Sequence, residues 1–504
     1  MSDAATTATT RVEATESPDY RERAAIDAST RLPVVVFLVS GLLWLLTGTT
    51  LAFIASYKMH SPEFLADAAW LTFGRVRPAH LNTMVYGWAS MTGIGVLLWL
   101  QARLSRALLP MRAGLTAVAI LWNIAVFAGT VAILAGGSTS VEWIEFPPAI
   151  AGILSLLFLV VFVASVLTFT RRNVEHVYVS QWYLFGAVFW FPFLYVAANL
   201  MIHGGGAVGI AEGTANWWFA HNVLGIWFTP IGLAAAYYFI PKVIGRPIHS
   251  YYLWILGFWA LAIFYNWAGT HHLIGGPIPL WLQSVGIVAS MMMFVPVITV
   301  AINHHMTMVG HFHKLKYSPT LRFIVFGAMS YTLVSVQGSL TALRVVNETS
   351  HFTHYTIAHA HLGMYAFVTM VLFGSVYYIL PRLTEREWSS ALLIKAHFWT
   401  TAIGMVIYWV GLTAGGWLQG RMMLNPDNAF LEIVQMTIPF LWSRSFAAVL
   451  MSTGHFIFAY LVVRMLYDWA KGRRRQAGPT LLSRPEYQPQ PAEADDASAS
   501  GGTS

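Results

Sequence analysis

The chain has 504 residues, 57% of them hydrophobic and 10% charged, with a formal net charge of +7 and no cysteine. So little charge over this length excludes an ordinary soluble globular protein. The missing thiols exclude disulfides, thiolate metal sites and c-type haem, which needs Cys-x-x-Cys-His, so a bound metal must rest on histidine, carboxylate or water.

Residues 1–30 are polar and rich in Ala, Thr, Glu and Arg, and read as a disordered tail. Twelve apolar runs follow, each of the roughly 20 residues that cross a bilayer. They are predicted at 33–57, 79–101, 112–135, 148–170, 181–203, 218–240, 252–274, 281–303, 320–341, 355–380, 393–413 and 436–466. Residues 31–470 thus form one all-α polytopic domain, and 471–504 form a second disordered tail. No period of about 20 to 50 residues repeats beyond the hydropathy alternation. With both ends cytoplasmic, only Lys58, Arg75, Arg77, Arg344, Arg421 and Arg444 of the 29 Lys and Arg residues lie outside. That bias obeys the positive-inside rule, so the net charge reports topology and not nucleic-acid binding.

Ionisable residues inside a membrane are costly and are functional candidates by default. Of the 18 histidines, six fall in groups at one depth, the outer half of the predicted spans. His80 opens the second span, His221 the sixth, His271-His272 close the seventh, and His359-Ala360-His361 open the tenth. Neighbours two apart on a helix point about 200° apart, so His359 and His361 could each serve as axial ligand to a different metal centre. His271 and His272 lie about 100° apart. They can bind one ion together if the helix end loosens, and a third imidazole from the sixth span would make a three-His site suited to copper. Tyr265, seven residues before His272, lies two turns deeper on nearly the same face. A phenol there can donate a proton and an electron. For His203, His354, His397 and His455, in or near spans, the sequence offers no partner and an interfacial or packing role is expected.

These pieces resemble haem-copper oxygen reductases, and more closely subunit I of the cbb3-type cytochrome c oxidases. The resemblance rests on Arg77-Pro78-x-His80, His221-Asn222-x-x-Gly225, Tyr265-x-Trp267-Ala268-Gly269-x-His271-His272, Arg344-x-Val346-Asn347 and His359-x-His361. It implies a twelve-helix catalytic subunit in which His80 and His361 ligate low-spin haem b and His359 ligates high-spin haem b3. His221, His271 and His272 would then hold the copper CuB. Tyr265 would be the active-site tyrosine, cross-linked in this family to the copper ligand on the sixth span, here His221. Arg77 and Arg344 would neutralise haem propionates. Glu142 and Glu145 resemble an acidic loop that holds calcium, a hard cation suited to carboxylates.

Two positions depart from the family pattern. Gln337 stands where a glutamate hydrogen-bonds the proximal histidine of haem b3, and as an uncharged acceptor it is expected to serve His359 and raise the haem potential. Trp254 replaces a small hydroxyl residue of the proton channel, while Tyr237 is retained.

The function implied is reduction of O2 to water in a bacterial cytoplasmic membrane, coupled to proton uptake. Electrons would come from cytochrome c through separate c-type cytochrome subunits, because the chain has no haem c motif. Two alternatives remain. A nitric oxide reductase shares the six histidines, but places a glutamate at the position of Gly225 and lacks the span-seven tyrosine. A twelve-span transporter is expected to show inverted repeats and broken helices, and neither signal is present.

Overall fold

A computed structural model describes residues 18–472. The chain is a multi-pass, all-helical membrane protein with twelve helices long and apolar enough to span a bilayer among the described residues. They are α1 (Pro18–Lys58), α2 (Phe73–Ser105), α3 (Arg112–Ala135), α4 (Pro148–Thr170), α5 (Val179–His203) and α6 (Ile210–Ile244). The second half contains α7 (Tyr251–Leu273), α8 (Leu280–Met308), α9 (Pro319–Thr341), α10 (His354–Thr384), α11 (Ala391–Met423) and α12 (Phe430–Ala470). Every predicted run coincides with one helix. Most helices overrun the predictions at their outer ends, furthest in α11 and α6.

The expected N-terminal tail is shorter than 1–30. Helix α1 starts at Pro18, and Ile26, Ser29 and Thr30 are already buried. Ser29 tethers this turn to the bundle by accepting a hydrogen bond from the Leu109 backbone N–H (3.0 Å), and Asp27 accepts one from the Trp99 indole (3.0 Å). Residues 1–17 and 473–504, most of both expected tails, lie outside the described residues.

Helices α2, α6 and α10 form the centre. In their most apolar stretches 94%, 89% and 89% of residues are buried, against 39–67% in the other nine. Each central helix also contains a π-helical segment directly after its histidines: Thr83–Ala89, Val223–Phe228 and Leu362–Thr369. Such wider turns are frequent at functional sites. The three helices recur at a period near 140 residues. Their left-handed C-terminal residues are Arg106, Gly245 and Glu385, spaced 139 and 140 apart. Tyr237-Tyr238-x-x-Pro241 recurs as Tyr377-Tyr378-x-x-Pro381. The N-caps Ser250 and Ser390 accept from the third backbone N–H of α7 and α11 in the same way. The fold is thus built from three four-helix units whose second members meet at the centre.

Candidate functional site

Two cavities flank the start of α10. The first, about 760 Å³, is lined by His221, Tyr265, His271 and His359, among others. The second, about 960 Å³, is lined by His80 and His361 with Trp88, Tyr408 and Arg444. Ala360 and Met364 line both. The opposed directions of His359 and His361 therefore follow from helical geometry, and one alanine separates the two spaces.

In the first cavity His221, His271 and His272 place their ligand atoms within 4.8 Å of one another. Three local features produce this. His221 sits at the end of the α-helical part of α6, just before its π-helical segment. The last turn of α7 tightens into a 3-10 helix over Gly269–Leu273, instead of loosening, and brings the His271 and His272 rings to 4.3 Å. Trp217 stacks on His272 at 4.1 Å and fixes its plane. The Ser290 hydroxyl donates to the Gly286 carbonyl (2.7 Å), so toward His271 it accepts from Nδ1–H (2.8 Å). That leaves His271 Nε2 as the lone-pair nitrogen, the second-sphere arrangement common for metal-binding histidine. His221 Nδ1 and His359 Nδ1 are buried without hydrogen-bond partners. Buried polar atoms normally have a partner, and ring nitrogens without one fit ligands whose partner is an ion. The donor set, three imidazoles facing a fourth across a cavity, suits copper and a haem iron.

Tyr265 lies against this cluster, its ring 4.3 Å from that of His221 and tilted by 26°. The space for it exists because residue 225 is glycine. A Cβ on Gly225 would fall 1.9 Å from Tyr265 Cε1 and 2.0 Å from Cζ.

In the second cavity both histidines have one nitrogen fixed as a donor by a carbonyl. His80 Nδ1–H donates to Gly48 O and His361 Nδ1–H to Ile357 O, each at 2.9 Å. Their Nε2 atoms are therefore free to ligate. Arg444 lines this cavity with its Nε buried and unpartnered. In the sequence Arg444 is legible only as a topological charge, a lone cation within the apolar start of α12.

The expected propionate residues are engaged otherwise. Arg77 pairs with the Glu142 carboxylate, and Arg344 reaches Gln283 Oε1 at 3.4 Å. The Glu145 carboxylate accepts from Asn82 Nδ2 at 2.8 Å. Burial pushes Glu145 up to about 7, against the hydrogen bond from Asn82. The described residues thus bring no third acidic side chain to Glu142 and Glu145.

Gln337 does not hydrogen-bond His359. Its Oε1 accepts from the Trp409 indole N–H of α11 (3.0 Å), and its Nε2 is buried without a partner. The neighbour Gly338 faces His359 instead, where a Cβ would lie 2.8 Å from Cε1. Trp254 is buried beside Trp182, its indole nitrogen unpartnered. Tyr237 packs 4.4 Å from the His304 ring and its hydroxyl accepts from Asn303 Nδ2 at 3.5 Å. His397 and His455, for which the sequence offers no partner, bond Tyr377 and Tyr365.

The family model described as Cytochrome C and Quinol oxidase polypeptide I matches residues 33–450. The chain is 30% identical over 439 residues to the cbb3-type cytochrome c oxidase subunit CcoN1 of Stutzerimonas stutzeri, covering 84% of this chain and 92% of that protein. A nitric oxide reductase subunit of the same organism is 27% identical over 285 residues, 53% of this chain and 57% of that one. A cryo-EM structure of a heme-copper terminal oxidase dimer shares the fold, with a TM-score of 0.68 and 17% identity, covering 92% of this chain and 86% of that chain.

Proposed function

The chain belongs to the Cytochrome C and Quinol oxidase polypeptide I family, and on that premise we propose that it is the catalytic subunit of a cbb3-type terminal oxidase. It reduces O2 to water, taking four electrons and four protons per O2. His359 holds the high-spin haem b3, and His221, His271 and His272 hold copper. His80 and His361 would hold the low-spin haem b, which would supply electron transfer from cytochrome c. Bound there, the haem iron and copper supply O2 binding and electron transfer. The chain's own residues do the rest. Ser290 sets the His271 tautomer, Ala360 keeps the two cavities adjacent, and the Tyr265 O–H is the proton and electron source nearest the three imidazoles. Arg444 places a positive charge in the low-spin cavity, and Arg77 and Arg344 would neutralise haem carboxylates that reach them. Calcium at Glu142 and Glu145 would need oxygen ligands from beyond these two residues, since calcium takes six to eight.

The single observation that carries this reading is the Tyr265 ring over Gly225 and against His221. A nitric oxide reductase needs a glutamate side chain at position 225, where this phenol already stands. The partners are c-type cytochrome subunits in a bacterial cytoplasmic membrane, with both termini inside. Purified complex assayed with a reduced cytochrome c and either gas tests the proposal. O2 uptake well above NO reduction is expected, and NO reduction without O2 uptake overturns it.

A further inference from the structure

The low-spin cavity has a hydrogen-bonded chain on its wall that the proposed oxidase chemistry does not use. Thr49 of α1, Tyr365 of α10 and His455 of α12 all line it. The Tyr365 hydroxyl lies 2.7 Å from His455 Nε2, and Thr49 Oγ1 lies 2.7 Å from His455 Nδ1. All three residues are buried.

The proton positions follow from the partners. The Thr49 hydroxyl donates its one proton to Leu45 O at 2.6 Å. It can therefore only accept from His455, so Nδ1 carries a hydrogen. Nε2 is then the basic nitrogen of a neutral ring, and the Tyr365 O–H donates to it. A proton added at Nε2 would not be orphaned, because the phenol can rotate and accept from the new N–H. Both nitrogens of an imidazolium would thus keep oxygen acceptors, which lowers the cost of a buried cation. Few positions in an apolar core are built to hold a histidine in either charge state.

We propose that His455 is a redox-linked proton-binding site of the low-spin cavity, a reading that rests on the low-spin haem assigned above. When an electron from the cytochrome donor enters that cavity, one proton from water moves to His455 Nε2. When the electron leaves, the proton is released. The electron adds one negative charge to the cavity and the proton returns one positive charge, so the buried region keeps its net charge. In low dielectric, two charges sharing one cavity couple strongly. The other titratable or charged groups around His455 are Tyr365 of α10, His397 of α11, and His80, His361, Tyr408 and Arg444 in the same cavity. Arg444 is a fixed cation, and α1 contributes the neutral Thr49. His80 and His361 each donate from Nδ1 to a carbonyl and keep Nε2 for a ligand role, which leaves His455 as the histidine of this cavity whose basic nitrogen faces a hydroxyl.

The test is a spectroscopic redox titration of the low-spin haem in the purified complex between pH 6 and 9. Wild type is expected to show a segment where the reduction equilibrium changes tenfold per pH unit, which is about 59 mV for one electron. His455→Gln keeps a donor toward Thr49 and an acceptor toward Tyr365 but cannot take the proton, so its potential should be flat over that segment. A reduced-minus-oxidised infrared spectrum of wild type labelled with 15N-histidine should show an imidazolium band on reduction. A wild-type potential independent of pH, or a His455→Gln slope equal to wild type, overturns the proposal. So does an infrared difference without a histidine signal. Absence of low-spin haem bands altogether would instead overturn the oxidase reading.

Discussion

Replacing Gly225 with alanine is expected to cut O2 turnover by on the order of 100-fold while leaving the fold and the metals in place. The added Cβ would sit 1.9 Å from Tyr265 Cε1, 2.0 Å from Cζ and 2.2 Å from Cδ1, whereas ordinary contact begins at 3.4 Å. The ring edge must therefore retreat by about 1.5 Å, the difference between those two distances. Its stack on His221, 4.3 Å between centroids, cannot survive that movement. Overpacking of this kind costs about 1–3 kcal/mol, which a twelve-helix bundle can absorb. Misplacing a reacting group by about 1 Å costs on the order of 100-fold in rate. The assay is O2 uptake with reduced cytochrome c, alongside haem and copper content. Gly93→Ala, on α2 and facing α6 with its Cβ 3.4 Å from Ile231 Cδ1, is the control and should keep full activity. A Gly225→Ala enzyme with full metal content and wild-type turnover would refute the reasoning.

Gln337→Leu should destabilise by about 1 kcal/mol, because the Trp409 N–H loses its acceptor, and should leave the potential of the haem on His359 nearly unchanged. A large shift in a redox titration would restore Gln337 as a partner of His359. Burial raises the Glu145 carboxyl from 4.5 to about 7, so the stability associated with its neutral form is complete below pH 4.5 and lost as the pH rises through 7. That amounts to about 3 kcal/mol at most, at 1.36 kcal/mol per unit. Thermal midpoints in detergent should therefore fall from pH 5 to 8 more in wild type than in Glu145→Gln, and equal falls contradict the assignment. Arg444→Leu removes a cation from the low-spin cavity and should lower that haem's potential, by roughly 60 mV for each 1.4 kcal/mol of lost attraction. His361→Ala should erase the low-spin absorption bands and spare those of the His359 centre. Loss of both sets would mean that the two cavities are not independent.

The spans were readable because a bilayer imposes a length and a polarity that any apolar run reports directly. The six histidines were readable because imidazoles gathered at one depth in a membrane point to a shared metal-binding region. The partners of Gln337 were not. Whether its carbonyl faces α10 or α11 depends on which indole or imidazole lies nearer, and Trp409 is 72 residues away in the chain. His455 looked unpartnered for the same reason, since its partners come from the first and tenth spans. Arg444 entered only as a topological charge, and its place in the cavity follows from the packing of α12 against α1. The 140-residue period is faint in the sequence because it is carried by caps, wide turns and a Tyr-Tyr-x-x-Pro signature spread over spans with little other identity. Composition alone suggests disorder up to residue 30, whereas the helix from Pro18 is held by side-chain bonds to distant segments.

The central claim is that the three imidazoles of His221, His271 and His272 bind copper beside a haem, with Tyr265 in reach. Elemental and haem analysis of the purified complex, with and without a His272→Ala substitution in this chain, tests it most directly. One copper for this chain beside two b-type haems is expected, with the copper lost and the haems kept in the variant. Non-haem iron in place of copper, or copper retained when His272 is removed, would contradict it.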